Sequence, residues 1–218
     1  MTATSRQQKL ADLFRQATII PVLTIERLED AVPLAKALVA GGVRTLEVTL
    51  RTPVAIEAAK AMIANVPDAI VGIGTILNGD DLARAKALGA VFGISPGATP
   101  ELLKAAAASD LPFAPGIATA SELMQALAHG FDLVKFFPAE PSGGIKALRA
   151  LVGPFPNVLI CPTGGIGEAN AGSWLAEPNV VAVGGSWVCP AADIRSGNWA
   201  GITAMCERAM KSLKTVSR

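Results

Sequence analysis

The chain has 218 residues, of which 51% are hydrophobic and 17% charged, which is enough for one well-buried domain and short for two. Nineteen Lys and Arg against eighteen Asp and Glu leave a formal net charge of +1, with no cluster of either sign. The sequence therefore carries no electrostatic footprint for nucleic acid or an anionic membrane surface. We expect a single domain over residues 1–218 and a small molecule as its partner.

Signals for export, membrane insertion and metal binding are also missing from the sequence. MTATSRQQKLADLFRQ has no apolar core of signal-peptide length, and no later segment approaches the roughly 20 apolar residues that span a bilayer. Cys161, Cys189 and Cys206 show neither a paired framework nor a metal spacing, so we predict reduced thiols in or near the core. The single histidine, His129, excludes a zinc site of several imidazoles. These features predict a cytoplasmic protein without a metal.

Two kinds of segment alternate along the chain. Eight β-branched or apolar runs are predicted strands: IIPVLTI from Ile19, TLEVTL from Thr45, AIVGIGTI from Ala69, AVFGISPG from Ala90, PFAPGIA from Pro112, DLVKFFPA from Asp132, NVLICPTGG from Asn157 and VVAVGGSWV from Val180. Between them lie segments of helical period, such as RLEDAVPLAKALVAGG, PVAIEAAKAMIAN, GDDLARAKALGA, TPELLKAAAAS and ATASELMQALAHG. Eight strand–helix units in one α/β domain of this size predict a (β/α)₈ TIM barrel with short loops.

The two ends of the chain complete this prediction. Residues 1–17, with Leu10, Leu13 and Phe14 at helical spacing, are predicted to form an extra N-terminal helix that caps one end of the barrel. SGNWAGITAMCERAMKSLK is predicted to close the barrel as a helix whose apolar face consists of Trp199, Ile202, Met205, Met210 and Leu213. An open doubly wound sheet also alternates strand and helix, but IIPVLTIE lacks the glycines that usually follow its first strand, so the barrel is favoured.

Alternation along two strands indicates which side chains point into the barrel, where chemistry sits at the carboxyl ends of the strands. In TLEVTLR the apolar residues face the helices, which leaves Glu47 and Arg51 inside. In DLVKFFP, Lys135 and Phe137 share one face. An apolar interior disfavours the protonated form of an amine, and the neutral amine is a nucleophile for carbonyl carbon. The alternative is that Lys135 and Glu47 form a structural ion pair, or that Lys135 reaches solvent.

Glycines follow the seventh and eighth predicted strands. PTGGIG contains Gly164 and Gly165, and VGGSWV contains Gly184, Gly185 and Ser186. At these strand ends, barrels often bind phosphate through backbone N–H groups. Either pair alone could instead serve a tight turn that requires a positive φ.

A second subsite is predicted from small residues in two other turns. GIGT ends at Thr75 and GISPG contains Pro96, and both turns leave room above the barrel. The planar guanidinium of Arg51 suits a carboxylate. Together these residues predict a carboxylate subsite across the barrel from the phosphate subsite.

Six motifs in register, LEVTLRT, GIGT, FGISPG, KFFPAE, PTGGI and VGGSWV, closely resemble the bacterial 2-keto-3-deoxy-6-phosphogluconate (KDPG) aldolases, which share a family with 4-hydroxy-2-oxoglutarate (KHG) aldolases. The resemblance runs from about Ile19 to Val188. It implies a class I aldolase: a barrel, usually a homotrimer, without metal or cofactor, that forms a Schiff base through a lysine. The implied substrate is a phosphorylated 2-keto acid of the Entner–Doudoroff pathway, cleaved to pyruvate and glyceraldehyde 3-phosphate.

The resemblance also implies the roles of single residues. The lysine of the motif KxFPA falls on Lys135, the Schiff-base nucleophile, and the glutamate of LEVTxR falls on Glu47, the general acid and base. The substrate-binding residues implied are Arg51, Thr75 and the backbone around Pro96 for the pyruvate carboxylate, Phe137 as an apolar wall beside the imine, Thr163 for hydroxyl groups, and Gly164, Gly165, Gly185 and Ser186 for phosphate.

Alternatives remain at this stage. The substrate could be KHG or the galactonate epimer of the phosphorylated acid, but galactonate-specific relatives tend to have an apolar residue where this chain has Thr163, and Ser186 favours a phosphate. A barrel that binds a phosphate ligand without chemistry is predicted to lack the nucleophile or the base, whereas Lys135 and Glu47 are both present. A metal-dependent aldolase fits poorly because inward clusters of His, Asp and Glu are absent.

Overall fold

The computed structural model describes residues 3–213, with side chains from residue 6 onward. The strands are β1 (Ile19–Leu23), β2 (Thr45–Thr49), β3 (Ile70–Gly74), β4 (Gly93–Ile94), β5 (Phe113–Ala114), β6 (Gly116–Ile117), β7 (Leu133–Phe136), β8 (Leu159–Pro162) and β9 (Val183–Gly185). The helices are α1 (Ala3–Ala17), α2 (Ala31–Ala40), α3 (Ala55–Asn65), α4 (Gly79–Ala87), α5 (Pro100–Ala108), α6 (Ala120–Ala128), α7 (Gly144–Val152), α8 (Ala171–Leu175), α9 (Ala191–Ser196) and α10 (Trp199–Leu213). Each strand lies inside one of the predicted runs.

All strand pairs are parallel. One sheet has the order β5-β4-β3-β2-β1-β9 and the other the order β6-β7-β8. Isolated bridges, Ile160 with Val180 and Thr163 with Gly184, connect β8 to the β9 segment. Between β5 and β6 lies Pro115, which has no N–H to donate to a ladder. The chain thus has an α/β fold whose parallel strands form a curled sheet, as in TIM-like barrels.

Alternate residues of the strands pack into two different apolar clusters. Val134 belongs to the larger cluster, between the strands and the outer helices, whereas Leu133 belongs to the inner one. The inner cluster contains Leu10, Ala11, Phe14, Ile20, Phe92, Ile94, Ala114, Leu133, Cys161, Val181 and Ala182. This division confirms the two-residue period from which we inferred inward-facing positions.

Helix α1 supplies part of the inner cluster. Leu10 and Phe14 are fully buried, and the Phe14 ring meets Phe92 edge-on with 5.4 Å between the ring centroids. The buried Gln7 donates from Nε2 to the carbonyl oxygen of Phe113 at 2.8 Å and accepts at Oε1 from the N–H of Leu133 at 3.0 Å. Since these partners begin β5 and β7, α1 lies at the amino ends of the strands and leaves the carboxyl ends accessible. Residues 1 and 2 of the predicted helix lie outside the described residues.

Helix α10 differs slightly from its prediction. Ile202, Met210 and Leu213 are buried as expected, but Trp199 and Met205 are only partly buried. Cys206 and Ala209 complete the buried face instead, because a straight helix places them beside Ile202 and Met210. None of the helices within residues 3–213 has the length and apolar character needed to cross a membrane.

Candidate active site

Lys135 and Glu47 form the amine end of the site. The ammonium Nζ of Lys135, on β7, donates to Glu47 Oε1 at 2.9 Å and Oε2 at 3.3 Å, across the interior from β2. The two side chains are 4% and 2% exposed, so Lys135 does not reach solvent. A Cβ atom on Gly74 would lie 2.2 Å from Glu47 Oε1, so the second glycine of GIGT is required to make room for the carboxylate. The predicted pair is therefore in contact.

Phe137 and Cys161 border the amine. The Phe137 ring centroid lies 5.5 Å from Lys135 Nζ, within cation–π range. Cys161 is the neighbour of Lys135 in the register of β7 and β8. Burial raises the pKa of the Cys161 thiol to about 12, with the Glu47 charge acting in the same direction and Lys135 opposing it. The thiol therefore stays protonated near neutral pH, and a protonated thiol is a weak nucleophile.

The proposed carboxylate residues lie on neighbouring strand ends. Arg51 lies just after β2 and Thr75 just after β3. Arg51 Nε donates to Thr75 Oγ1 at 3.2 Å. Thr75 has a φ of 58°, an uncommon conformation for a β-branched residue. A Cβ on Gly116 would lie 2.3 Å from the backbone of Pro96, and Gly116 pairs in register with Lys135. The structure thus brings Arg51 and Thr75 together and holds the Pro96 backbone against a strand next to the amine.

A cavity of about 210 Å³ opens at the carboxyl ends of the strands. Its lining is Val22, Thr24, Arg51, Phe137, Thr163, Gly164, Gly165, Ile166, Gly185 and Ser186. Lys135 and Glu47 do not line it. Lys135 adjoins it through Phe137 and holds Glu47 by a hydrogen bond, and Thr75 adjoins it through Arg51. Val22, Thr24 and Ile166 were not predicted from the sequence. Alternation from Ile20 along IIPVLTI would have nominated Val22 and Thr24 as inward-facing residues.

Gly164, Gly165, Gly185 and Ser186 form the glycine end of the site. Gly164 and Gly165 have φ values of 102° and 79°, so this pair does serve a turn that other residues rarely adopt. At Gly185 the limit is space instead, because a Cβ there would lie 2.2 Å from the Trp187 ring. Within residues 3–213, no protein group accepts a hydrogen bond from the N–H of Gly165, Ile166 or Ser186. These donors remain available to an anion.

Thr163 lies between the two ends. Its Oγ1 is buried and has no hydrogen bond of acceptable geometry among the described residues, although it lies close enough to the Cys161 thiol to oppose the rise in the pKa of that thiol. A Cβ on Gly184 would lie 2.2 Å from this oxygen, so the glycine leaves the hydroxyl group its space. A buried hydroxyl without a protein partner is suited to a polar ligand atom. The side chains of residues 6–213 include no group of three or more His, Cys, Asp or Glu that could hold a metal ion.

The chain is similar to known proteins in both sequence and structure. The model of the KDPG and KHG aldolase family matches residues 10–205. The 2-dehydro-3-deoxy-phosphogluconate aldolase of Pseudoalteromonas atlantica is 49% identical over 199 residues, which cover 91% of this chain and 93% of the relative. The KHG/KDPG aldolase of Escherichia coli K12 is 51% identical over 196 residues, covering 90% and 92%. The crystal structure of the KDPG aldolase of Legionella pneumophila, with pyruvate captured at low pH as a covalent carbinolamine intermediate, matches with a TM-score of 0.89 and 48% identity, covering 91% of this chain and 97% of that one.

Proposed function

Because the chain belongs to the KDPG and KHG aldolase family, we propose that it is a class I aldolase that cleaves KDPG to pyruvate and glyceraldehyde 3-phosphate. The observation that carries the proposed mechanism is the buried contact of 2.9 Å between Lys135 Nζ and Glu47 Oε1, beside the cavity. A lyase of this type needs an amine, a proton acceptor within hydrogen-bond reach and a binding site for both ends of its substrate.

The first stage forms the Schiff base. Transfer of one proton from Lys135 to Glu47 along their hydrogen bond gives a neutral carboxylic acid and a neutral amine, the form of lysine that attacks carbonyl carbon. The Lys135 nitrogen then attacks carbon 2 of the keto acid, giving a carbinolamine. Glu47 returns its proton to the departing hydroxyl group, so that water leaves and an iminium ion remains. The carbinolamine captured in the Legionella aldolase corresponds to the midpoint of this stage.

The second stage breaks the bond between carbons 3 and 4. The iminium ion accepts the electron pair of that bond while Glu47, directly or through a water, removes the proton from the hydroxyl group on carbon 4. Glyceraldehyde 3-phosphate leaves as the aldehyde, and an enamine remains on Lys135. Glu47 returns the proton to carbon 3, and water then hydrolyses the imine to release pyruvate and the free amine. One carboxylate therefore carries the protons of dehydration, of cleavage and of enamine protonation.

The cavity would orient the substrate from both ends. We assign the pyruvate carboxylate to Arg51 and Thr75, with the backbone at Pro96 close to the amine, and Phe137 as the apolar wall beside the imine. Support for the hydroxyl contact comes from the unpartnered Oγ1 of Thr163. The phosphate is assigned to the glycine end, namely Gly164, Gly165, Gly185 and Ser186, because these residues line the cavity and the N–H groups of Gly165 and Ser186 have no acceptor among the described residues.

We also propose the finer architecture in which this site operates. If β5 and β6 count as one strand interrupted at Pro115, the strand order and the β8–β9 bridges give a closed (β/α)₈ barrel. Helix α1, with Gln7, Leu10 and Phe14 at the amino ends of the strands, would then cap that barrel. The further proposals of one domain over residues 1–218, a homotrimer and a cytoplasmic location rest on the sequence and on the family resemblance.

The experiment that tests the function is intact-protein mass spectrometry after treatment with pyruvate and borohydride, followed by peptide mapping. We expect one reduced pyruvate adduct on Lys135. Cleavage rates with KDPG, its galactonate epimer and KHG should then show preference for KDPG. If there is no adduct, or if it lies on another lysine, the Schiff-base assignment is wrong and a binding protein without chemistry becomes the better interpretation.

A further inference from the structure

Glu140, Asn170 and Trp174 form a hydrogen-bonded group behind the glycine end, outside the cavity lining. The indole N–H of Trp174 donates to Glu140 Oε1 at 2.8 Å, and Asn170 Nδ2 donates to the same oxygen at 3.0 Å. Trp174 is completely buried, so its N–H requires an acceptor, and that requirement fixes the position of the Glu140 side chain. Asn170 Oδ1 accepts from the N–H of Gly167 at 2.8 Å, so both ends of its carboxamide are engaged.

This group holds two consecutive carbonyl groups of the loop 164–167. The backbone N–H of Glu140 donates to the carbonyl oxygen of Gly164 at 3.0 Å, and Asn170 Nδ2 donates to that of Gly165 at 3.1 Å. In a planar trans peptide, the carbonyl group of one residue and the N–H of the next point in opposite directions. The N–H groups of Gly165 and Ile166 therefore point away from Glu140 and Asn170, towards the side on which the cavity lies.

We propose that Glu140 and Asn170 are positioning residues that orient the N–H groups of Gly165 and Ile166 towards the phosphate group of the substrate. The inference rests on the proposed function and deepens it, because it assigns the control of phosphate affinity to the Asn170 carboxamide, the Glu140 carboxylate that holds it and the Glu140 backbone N–H, none of which lines the cavity. The stem of Glu140 also supports the loop: a Cβ on Gly165 would lie 2.6 Å from Glu140 Cβ, so the glycine packs directly against it. Glu140, Asn170 and Trp174, the positioning group, thus contact the loop in two ways: by hydrogen bonds to its carbonyl groups and by packing of the Glu140 side chain against Gly165.

Asn170→Asp is the most informative variant. Aspartate keeps the shape and the acceptor for Gly167, but it loses the donor to Gly165 and places a second carboxylate beside Glu140. We expect the KM for KDPG and the inhibition constant of inorganic phosphate to rise roughly tenfold, since one oriented hydrogen bond is lost. The kcat and KM for unphosphorylated KHG should change by less than about twofold, because the amine end is untouched.

Variants at Glu140 separate orientation from simple stability. Glu140→Ala should raise the KM for KDPG as Asn170→Asp does. Glu140→Gln keeps an acceptor oxygen for Trp174 and Asn170, so its KM for KDPG should stay close to that of the wild-type protein. Glu168→Gln is the matched control, because Glu168 is an exposed carboxylate near the same loop without a hydrogen bond to it among the described residues.

Two results would overturn the inference. One is an unchanged KM for KDPG in both Asn170→Asp and Glu140→Ala; the other is an equal loss on KDPG and KHG, which a merely structural role predicts. Failure of the proposed function is distinguishable, since the wild-type protein would then not cleave KDPG. Titration calorimetry with inorganic phosphate would still compare the wild-type protein with Asn170→Asp, and equal affinity would again count against the inference.

Discussion

In the proposed mechanism, the amine end and the glycine end of the site would bind their parts of the substrate by opposite means. At the amine end, two ionisable side chains lie 2.9 Å apart and are almost completely buried. At the glycine end, the proposed phosphate donors are backbone N–H groups, and Gly165 and Ser186 are exposed. A buried charge depends on one partner, whereas a phosphate at an exposed site shares its charge among several donors. Changes at the amine end should therefore abolish function, and changes at the glycine end should weaken it by degrees.

The largest effect is expected for Lys135→Ala. Cleavage and the borohydride-trapped adduct should both disappear, because the Schiff base has no other amine at this position. Since the change leaves Glu47 buried without its partner, the free energy of unfolding should fall by about 3–5 kcal/mol in a denaturant titration. The double variant Lys135→Ala/Glu47→Gln is the control: it should regain part of that stability without regaining activity. An adduct in either variant would contradict the assignment.

The second largest effect is expected for Glu47→Gln. Glutamine keeps the shape of the carboxylate but cannot accept and return a proton, so kcat for KDPG should fall roughly 10²–10⁴-fold. The adduct with pyruvate should still form at long incubation times, which mass spectrometry would detect. Turnover at the wild-type rate would remove Glu47 from the mechanism.

Ser186→Ala tests the glycine end. Loss of a hydroxyl donor to a charged phosphate should raise the KM for KDPG about tenfold while leaving kcat nearly unchanged. Steady-state kinetics with KHG supply the comparison, because that substrate has no phosphate. If both substrates were affected equally, Ser186 would not be a phosphate residue, and the proposed contrast between the two ends would fail.

The smallest effect concerns the thiols. Burial raises the pKa values of Cys161, Cys189 and Cys206 from 9.0 to about 12. Iodoacetamide at pH 8 should therefore leave the native protein unmodified and label all three cysteines after unfolding. Above pH 9 the unfolded chain loses thiol protons that the folded chain keeps, so stability should fall as the pH rises from 9 towards 12. Rapid labelling of native Cys161 would contradict its assignment as a protonated neighbour of Lys135.

The order of strands and helices was predictable because hydrophobic periodicity follows from local geometry. The interruption of the fifth strand was not predicted, although its cause, Pro115, is visible in PFAPGIA. Whether a proline ends a strand or only divides it depends on its neighbours, here the pairing of β5 with β4 and of β6 with β7.

The two ends of the site also differ in how far their residues could be predicted from the sequence. Alternation was sufficient to nominate Lys135 and Glu47, because burying a charged side chain in an apolar strand is costly enough to be conspicuous. The positioning group was not predicted, because neither Trp174 nor Asn170 lies in any of the motifs described above. Its contacts join residues 30 and 34 positions apart, and short-range patterns do not report such separations.

The side chain of Gln7 has a consequence for how the chain folds. Its two backbone partners lie 106 and 126 residues further along, so the first helix is synthesised long before the strands that it joins. Closing loops of that length costs entropy that only the finished inner cluster can offset. We therefore expect α1 to dock late, after β7 has been synthesised. The amino ends of the strands would then be covered only after β7, which carries Lys135, has paired with its neighbours.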